Sequence, residues 1–228
     1  MGVAVVGITI GRRRRVPAAA LADALGFAAT PGIFFVRIAN FIRGELYGRV
    51  VGPDAWFGIH FPSDPEAHRL LGVERLDARP LELALMKAHA DGTWDRVKAE
   101  VPLRHPSQLY EAALEGPLLA LVLIAFIYIA RKRAWRLSDG AVFGVFLGWY
   151  GLGRFALEWV REPDSQLGTL SIGLTMGQLL CSAMVLASAV LLLRARKRGA
   201  KRGEVAWILS KRKTSSGETP LGSRGAIR

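Results

Sequence analysis

The feature that most constrains the fold is a series of apolar runs, each closed by a cluster of basic residues. The clusters lie at 12–15, 131–136 and 194–202. Of the 228 residues, 51% are hydrophobic, yet the formal net charge is +12, a combination that soluble domains seldom show. Apolar runs flanked by Lys and Arg are typical of a protein that crosses a membrane several times. The sequence therefore predicts an all-α, polytopic helical membrane protein.

The predicted membrane body covers residues 1–200, and its spans follow from the apolar runs. A helix needs about twenty apolar residues to cross the hydrocarbon of a bilayer. The first run has half that length, so it is interpreted as the end of a span that begins upstream. The second run contains Asp23 and Pro31-Gly32, which predicts a broken or kinked helix facing protein or a cavity. The predicted spans are 1–11 (partial), 18–42, 109–130, 140–159 and 173–193.

Two further segments differ from the spans. Residues 43–104 contain nine Lys or Arg, ten Asp or Glu and several prolines, which predicts a small head inserted between spans. Within it, 81–90 has a short helical pattern, and the rest is expected to be loop with small strands. The tail, 201–228, is rich in Lys, Ser and Gly and is predicted to be disordered.

Orientation follows from the basic clusters, because two spans separate each cluster from the next. All three clusters then lie on one side, which the positive-inside rule assigns to the cytoplasm, together with the C-terminus. The head is expected on the outer side. Because topology accounts for the basic clusters, the net charge needs no nucleic acid as partner.

Small residues in the later spans are interpreted as packing residues. Glycines recur at helical spacing at 140, 144, 148, 151 and 153, which favours close contact between helices in a membrane. The single cysteine, Cys181, lies in an apolar run and is expected to pack there. One cysteine also excludes an internal disulfide framework.

Three sets of polar residues meet the predicted outer boundary: 35–49, 105–111 and 153–164. Ionisable groups in such places are costly, and they indicate a functional site by default. Arg154 and Glu158 are four apart and could simply pair with each other on one helix. Because three sets converge on one level, a shared polar cavity is the favoured interpretation.

Arginine is the residue suited to holding phosphate bidentately in a partly desolvated site. An arginine-lined cavity open to the outer leaflet therefore favours an anionic lipid headgroup. Glu45, Glu111 and Glu158 would orient the arginines or handle protons. His105, beside Pro106, is either a base or a helix-terminal contact. The sequence contains no catalytic serine motif, no metal-ligand spacing and no glycine-rich nucleotide loop.

Four motifs carry a family resemblance: RIANFIRGELYGR, HPSQLYEAALEG, GLGRFALEWVREPD and GLTMGQLL, in this order. Together they resemble prolipoprotein diacylglyceryl transferase, an enzyme of the bacterial inner membrane. The resemblance implies transfer of diacylglycerol from phosphatidylglycerol to the lipobox cysteine of a prolipoprotein. It implies glycerol 1-phosphate and a thioether as products, this being the first step of lipoprotein maturation. No metal and no organic cofactor are implied.

The resemblance also implies residue roles. The catalytic residues would be Arg37, Asn40, Glu45, Arg154 and Glu158; Arg37, Arg154 and Gly48 would bind phosphatidylglycerol, with His105, Tyr110 and Glu111 in possible support. The family signature usually has Gly, Gly and Asn where this chain has Val36, Ala39 and Arg43. Of these departures, Val36 adds bulk and Arg43 adds a charge beside Arg37.

Family members carry two further spans and a His-Gly-Gly motif before the point at which this sequence starts. The chain is therefore expected to be N-terminally truncated, either in the sequence as given or as a shortened copy. Two alternatives to an active transferase stay open. One is a non-catalytic remnant that binds anionic phospholipid. The other is a transporter that uses the same arginines, against which stand too few spans and no internal symmetry.

Overall fold

The computed structural model describes residues 9, 11, 13, 16–73, 78–135, 137–162 and 175–215. The elements of the membrane spans and of the head are numbered in the order in which they occur along the chain. They are α1 (Ala18–Arg43), β1 (Ile59–His60), α2 (Pro65–Leu71), α3 (Ala78–Ala90), α4 (Thr93–Glu100), β2 (Leu103–Arg104), α5 (Ser107–Glu115), α6 (Pro117–Lys132), α7 (Ala141–Leu157) and α8 (Met176–Ser215).

The prediction of an all-α membrane protein is confirmed. Three helical segments of the described chain are long and apolar enough to cross a membrane: Ala18–Arg43, Ser107–Lys132 and Met176–Gly199. The second of these joins α5 and α6. The predicted partial span at 1–11 lies outside the described residues except for Thr9 and Gly11.

Helix α7 is shorter than the span predicted at 140–159. It has 17 residues, at the lower limit for crossing the hydrocarbon. Gly140 precedes it with a φ of 95°, a left-handed conformation that glycine adopts without strain. At the other end the chain turns, and the amide of Val160 donates to the carbonyl of Leu157 at 3.1 Å.

The expected break in the second apolar run is absent from α1, which is continuous through Pro31. Proline has no amide hydrogen, so it leaves the carbonyl four residues earlier, that of Phe27, without its usual donor. The hydroxyl of Thr30 donates to that carbonyl at 3.0 Å. A neighbouring threonine thus replaces the lost hydrogen bond, as membrane helices allow. The predicted break at Pro31 is therefore wrong, and the alternative, a kink, stays a prediction.

Asp23, the acidic residue inside the same run, faces protein as expected. Its two carboxylate oxygens accept from the amides of Gly140 and Phe143, each at 2.7 Å. These amides open α7, where helical N–H groups have no partner within the helix. Asp23 therefore caps α7 from the side of α1, and its negative charge also suits the positive end of the helix dipole.

The glycine spacing of α7 produces the predicted close packing, against α8. A Cβ on Gly144, Gly148 or Gly151 would lie within 3.1 Å of side-chain or backbone atoms of α8. The hydroxyl of Ser188 on α8 donates to the carbonyl of Gly144 at 2.6 Å. Cys181 is buried in the same interface, as a packing residue would be. Gly153 has open space around it and takes no part.

The head contains α2, α3, α4 and one short antiparallel sheet, in which Ile59 pairs with Arg104 and His60 with Leu103. The helical pattern predicted at 81–90 lies within α3. A small apolar core forms around Ala67, Val97 and Val101.

The last helix differs from the sequence prediction. Helix α8 continues through residues 201–215, where disorder was predicted, and no proline interrupts the sequence before Pro220. Disorder stays a prediction for 216–228, which lie outside the described residues.

Candidate functional site

Two glutamates on α5 form the centre of the candidate site. Glu111 and Glu115 are four residues apart, so they share one face of the helix. They are 0% and 1% exposed. A carboxylate removed from water at such a depth is tolerated only when cations or hydrogen-bond donors compensate for its lost hydration.

Arg37 of α1 supplies the first of those cations. Its Nη1 lies 2.9 Å from Oε2 of Glu111, and its Nη2 lies 3.3 Å from Oε2 of Glu115. Its Nε also donates to Glu115 at 3.3 Å. One guanidinium therefore spans both carboxylates, which fixes α1 against α5.

Two more arginines reach the same carboxylates from the end of α7 and the turn after it. Arg154 donates to Oε1 of Glu111, and its Nε lies 3.8 Å from Oε1 of Glu115. Arg161 donates to Oε1 of Glu111 at 3.2 Å. We name Arg37, Glu111, Glu115, Arg154 and Arg161 the charge cluster. At least one residue of each polar set of the sequence thus meets the others at this place, whereas the predicted polar cavity stays a prediction.

The charge cluster has three arginines and two glutamates, which is a formal excess of one positive charge within the cluster; Glu158, which also interacts electrostatically with Arg154, lies outside this count. The arginine side chains are 13–17% exposed, whereas the carboxylates are fully buried. The cations are thus the part of the cluster that solvent or a ligand can reach. A phosphate monoanion would neutralise the excess through charge-assisted hydrogen bonds. The cluster has the chemistry of an anion site.

Glu158 does not form the same-helix pair that the sequence allowed with Arg154. It sits one residue beyond the end of α7, and its Oε1 accepts from the hydroxyl of Thr175 at 2.9 Å. A Cβ on Gly177 would lie 2.7 Å from that same oxygen. Glu158 therefore packs against the beginning of α8, beside the cluster, while Arg154 pairs with α5.

Asn40 in the last turn of α1 and Glu45 just after it have no side-chain hydrogen bond or ion pair with the charge cluster in the described structure. The carboxylate of Glu45 is 49% exposed and pairs with the exposed Arg43 at 3.1 Å. The carbonyl of Asn40 accepts from the amide of Glu45 at 2.9 Å, which closes the helix. The carbonyl of Glu45 also accepts from the side-chain amide of Gln108 on α5 at 2.7 Å. The catalytic roles implied for both residues stay predictions.

Gly48 lies where three segments meet. Its amide donates to the carbonyl of His105 at 2.8 Å, and it forms an antiparallel bridge with Arg161. A Cβ at this position would lie 2.4 Å from the carbonyl oxygen of Val160 and 2.7 Å from Cβ of His105. Glycine is therefore required for close approach, and it sets the position of Arg161. The predicted lipid-binding role of Gly48 stays a prediction.

The Gly48→Ala variant should consequently lose about 1–3 kcal/mol of unfolding free energy, because overpacking displaces the backbone on both sides. Thermal unfolding in detergent would measure the loss. Gly52→Ala is the matched control, since no atom lies within 4 Å of its added Cβ. Equal melting temperatures for the two variants would contradict the packing role.

His105 and Tyr110 pack with aromatic side chains rather than with the charge cluster. The imidazole of His105 stacks on Phe57 with ring centroids 5.2 Å apart, and Tyr110 meets it edge-on at 6.1 Å. Nδ1 of His105 is buried and has no hydrogen-bond partner within the described part of the chain. Of the three residues predicted in support, only Glu111 belongs to the cluster.

Sequence reasoning gave no role to Glu115 or Arg161, although both lie in the quoted motifs. The signal for Glu115 was available: a second acid four residues after Glu111, at the start of an apolar run. Arg161 offered no comparable signal, because it follows the helix and its direction depends on the turn. The sequence also did not predict the role of Arg104 in the head. It joins Asp64 to Glu162 and lies over the ring of Tyr47 at 4.7 Å.

Comparison with known proteins identifies the family. The family model described as prolipoprotein diacylglyceryl transferase matches residues 1–194. Three similar relatives are each named phosphatidylglycerol–prolipoprotein diacylglyceryl transferase. The Cereibacter sphaeroides protein is 38% identical over an alignment 208 residues long, which covers 86% of this chain and 61% of the relative. The Azospirillum brasilense protein is 41% identical over 181 residues, 79% of this chain and 53% of the relative.

The third relative, from Zymomonas mobilis, is 42% identical over 178 residues, 78% of this chain and 48% of the relative. The chain thus spans about half to three-fifths of the length of these relatives. The family match extends from the first residue to within α8, and it includes every residue of the charge cluster. The chain belongs to the prolipoprotein diacylglyceryl transferase family.

Proposed function

We propose that this chain transfers the diacylglyceryl group of phosphatidylglycerol to the lipobox cysteine of prolipoproteins. The observation that carries the proposal is the charge cluster, in which three arginines converge on two buried glutamates and leave one positive charge in excess. Phosphatidylglycerol carries a single phosphate charge of opposite sign. The relatives' names specify both substrates, and the cluster supplies the anion-binding chemistry that the lipid substrate needs.

In the proposed reaction, the thiolate of the substrate cysteine attacks the glyceryl carbon that bears the phosphate ester. A carbon–sulfur bond forms and the carbon–oxygen bond to phosphate breaks. Glycerol 1-phosphate leaves with the bonding electron pair on its phosphate oxygen. Arg37 and Arg154 hold the phosphate and stabilise the charge that develops on it, as the donors of an oxyanion hole do. A base must accept the thiol proton, because a free cysteine is mostly protonated near neutral pH.

The proposed location is the bacterial inner membrane, with the cluster and the head outside and the C-terminus in the cytoplasm. The charge pattern of the sequence supports this orientation. A reporter inserted at Gly92, in the exposed turn between α3 and α4 of the head, should be active only outside the cytoplasm. Cytoplasmic activity of that fusion would contradict the orientation.

The transferase proposal is tested with membranes that contain the protein, a lipobox peptide and a defined phospholipid. Phosphatidylglycerol should give a diacylglyceryl mass increase on the peptide cysteine and an equal amount of glycerol 1-phosphate. Phosphatidylcholine, whose headgroup has no net charge, is the matched control and should give neither product. Binding of phosphatidylglycerol without transfer would favour the lipid-binding alternative, and absence of both would reject the anion site.

A further inference from the structure

A shallow groove runs between α1 and α6, on the side of the charge cluster away from the head. Its volume is about 270 Å³. Four residues of α1, the glycine between α5 and α6, and two residues at the beginning of α6 line it: Thr30, Pro31, Phe34, Phe35, Gly116, Pro117 and Ala120. We name it the α1–α6 groove. It lies within the segments that are long and apolar enough to cross a membrane.

The groove offers no polar group to a ligand. Thr30 is its one polar side chain, and the hydroxyl of Thr30 already donates to the carbonyl of Phe27. Pro31 and Pro117 have no amide hydrogens to present. An occupant of this surface must therefore be apolar, because a polar group placed here would lose its hydration without gaining a partner.

A glycine shapes the groove at the junction of α5 and α6. A Cβ on Gly116 would lie 2.7 Å from Cβ of Phe34 and 2.7 Å from the carbonyl oxygen of Ala112. The absence of a side chain lets α1 approach the junction closely. The ring of Phe34, placed edge-on against Phe35 at 5.3 Å, then forms one wall.

The groove adjoins the charge cluster directly. Arg37 follows Phe34 by three residues and so lies on the same side of α1, while Glu115 immediately precedes Gly116. The 3.3 Å contact between Arg37 and Glu115 therefore lies beside this end of the groove. The apolar α1–α6 groove therefore begins beside the arginines of the charge cluster. An anionic phospholipid has the same arrangement, with an apolar acyl chain next to a negatively charged phosphate.

We propose that the α1–α6 groove holds one acyl chain of the anionic glycerophospholipid whose phosphate binds at the charge cluster. The inference rests on the proposed function and adds the place of the acyl chain to it. Bulk lipid also touches a membrane-facing surface, but only a lipid held by its phosphate at Arg37 would occupy this groove in a fixed register. The groove then makes binding depend on acyl chain length.

Ala120→Phe tests the proposal, because the added ring fills the groove without altering the charge cluster. Leu121→Phe is the matched control, since Leu121 is 60% exposed on the adjacent face of α6 and does not line the groove. The measurement is binding of phosphatidylglycerol to the full chain in detergent, with either dioleoyl or dihexanoyl chains. Melting temperatures of both variants establish that they fold.

Ala120→Phe should weaken binding of dioleoyl phosphatidylglycerol at least about tenfold and leave dihexanoyl phosphatidylglycerol within about twofold of the unchanged protein. Leu121→Phe should change neither. If a folded Ala120→Phe protein binds the dioleoyl lipid as tightly as the protein without the substitution, the proposal that the groove holds an acyl chain is wrong. If the unchanged protein does not bind dihexanoyl phosphatidylglycerol, the headgroup site of the proposed function fails instead.

A second measurement uses phosphatidylglycerol that carries a photoactivatable group in one acyl chain. Labelling should concentrate on the peptides that contain Phe34 and Ala120, and Arg37→Ala should disperse it by removing the phosphate anchor. Labelling spread evenly over the lipid-facing residues of the spans would show that the groove meets only bulk lipid, and it would overturn the proposal.

Discussion

Replacing Arg37 with alanine is expected to abolish diacylglyceryl transfer, with a loss of at least about 100-fold in turnover. Removal of one donor that stabilises developing negative charge costs about that much in enzymes where it has been tested. Arg37 contacts both buried carboxylates and is 14% exposed, so it can still face a ligand. The measurement is the rate of peptide lipidation in membranes with phosphatidylglycerol as donor.

Arg43→Ala is the matched control for this prediction. Arg43 lies in the same stretch and has the same side chain, but it is 67% exposed and pairs only with the exposed Glu45 in the described structure. It should keep most of the activity. Arg37→Lys should recover little, because a lysine cannot span two carboxylates with a planar fork of donors. Full transfer activity in Arg37→Ala would reject the assignment of the site.

Replacing Glu111 with alanine is expected to destabilise the protein by about 3–5 kcal/mol, which is the usual cost of removing one partner from a buried ion pair. Glu111 is fully buried and pairs with Arg37, Arg154 and Arg161. Its loss leaves Arg37 and Arg154 with Glu115 as their remaining carboxylate, and it removes the one carboxylate that Arg161 contacts in the described structure. Reversible unfolding in detergent would measure the change.

Two comparisons sharpen the Glu111 prediction. Glu100→Ala removes an exposed acid at the end of α4 and should change the free energy of unfolding by less than about 0.5 kcal/mol. Adding Arg161→Gln to Glu111→Gln should recover part of the lost stability, because it removes one of the cations left unpaired. If the two losses simply add, Glu111 and Arg161 are energetically independent and the cluster is not one unit.

The sequence predicted the elements of this fold better than their interior contacts. Helical spans, the inserted head and the glycine-mediated packing of α7 all follow from local patterns such as apolar length and four-residue spacing. The convergence of three polar sets was also predictable, since span order alone brings 37, 111 and 154 to one side. Predicting which residues lie on the same side requires only the number of membrane spans between them.

The partners of each charge could not be predicted, because they depend on how the helices are rotated against one another. Arg154 and Glu158 satisfy the spacing rule for a same-helix pair, yet Arg154 turns to α5 and Glu158 to Thr175. The continuity of α1 at Pro31 was missed for a similar reason. The proline was visible in the sequence, but the compensating bond from Thr30 depends on one side-chain rotamer.

The contact between Asp23 and the first amides of α7 also sets the relative heights of two arginines. Arg37 follows Asp23 by 14 residues along α1, and Arg154 follows Gly140 by 14 residues along α7. Both helices climb in the same direction from that contact, about 21 Å at the α-helical rise of 1.5 Å per residue. Because the two helical segments are equally long and start from the same contact, the guanidinium groups of Arg37 and Arg154 lie at the same depth in the membrane body. Inserting a single residue in either helix would shift one guanidinium group along the helix axis relative to the other and rotate it away from the glutamates.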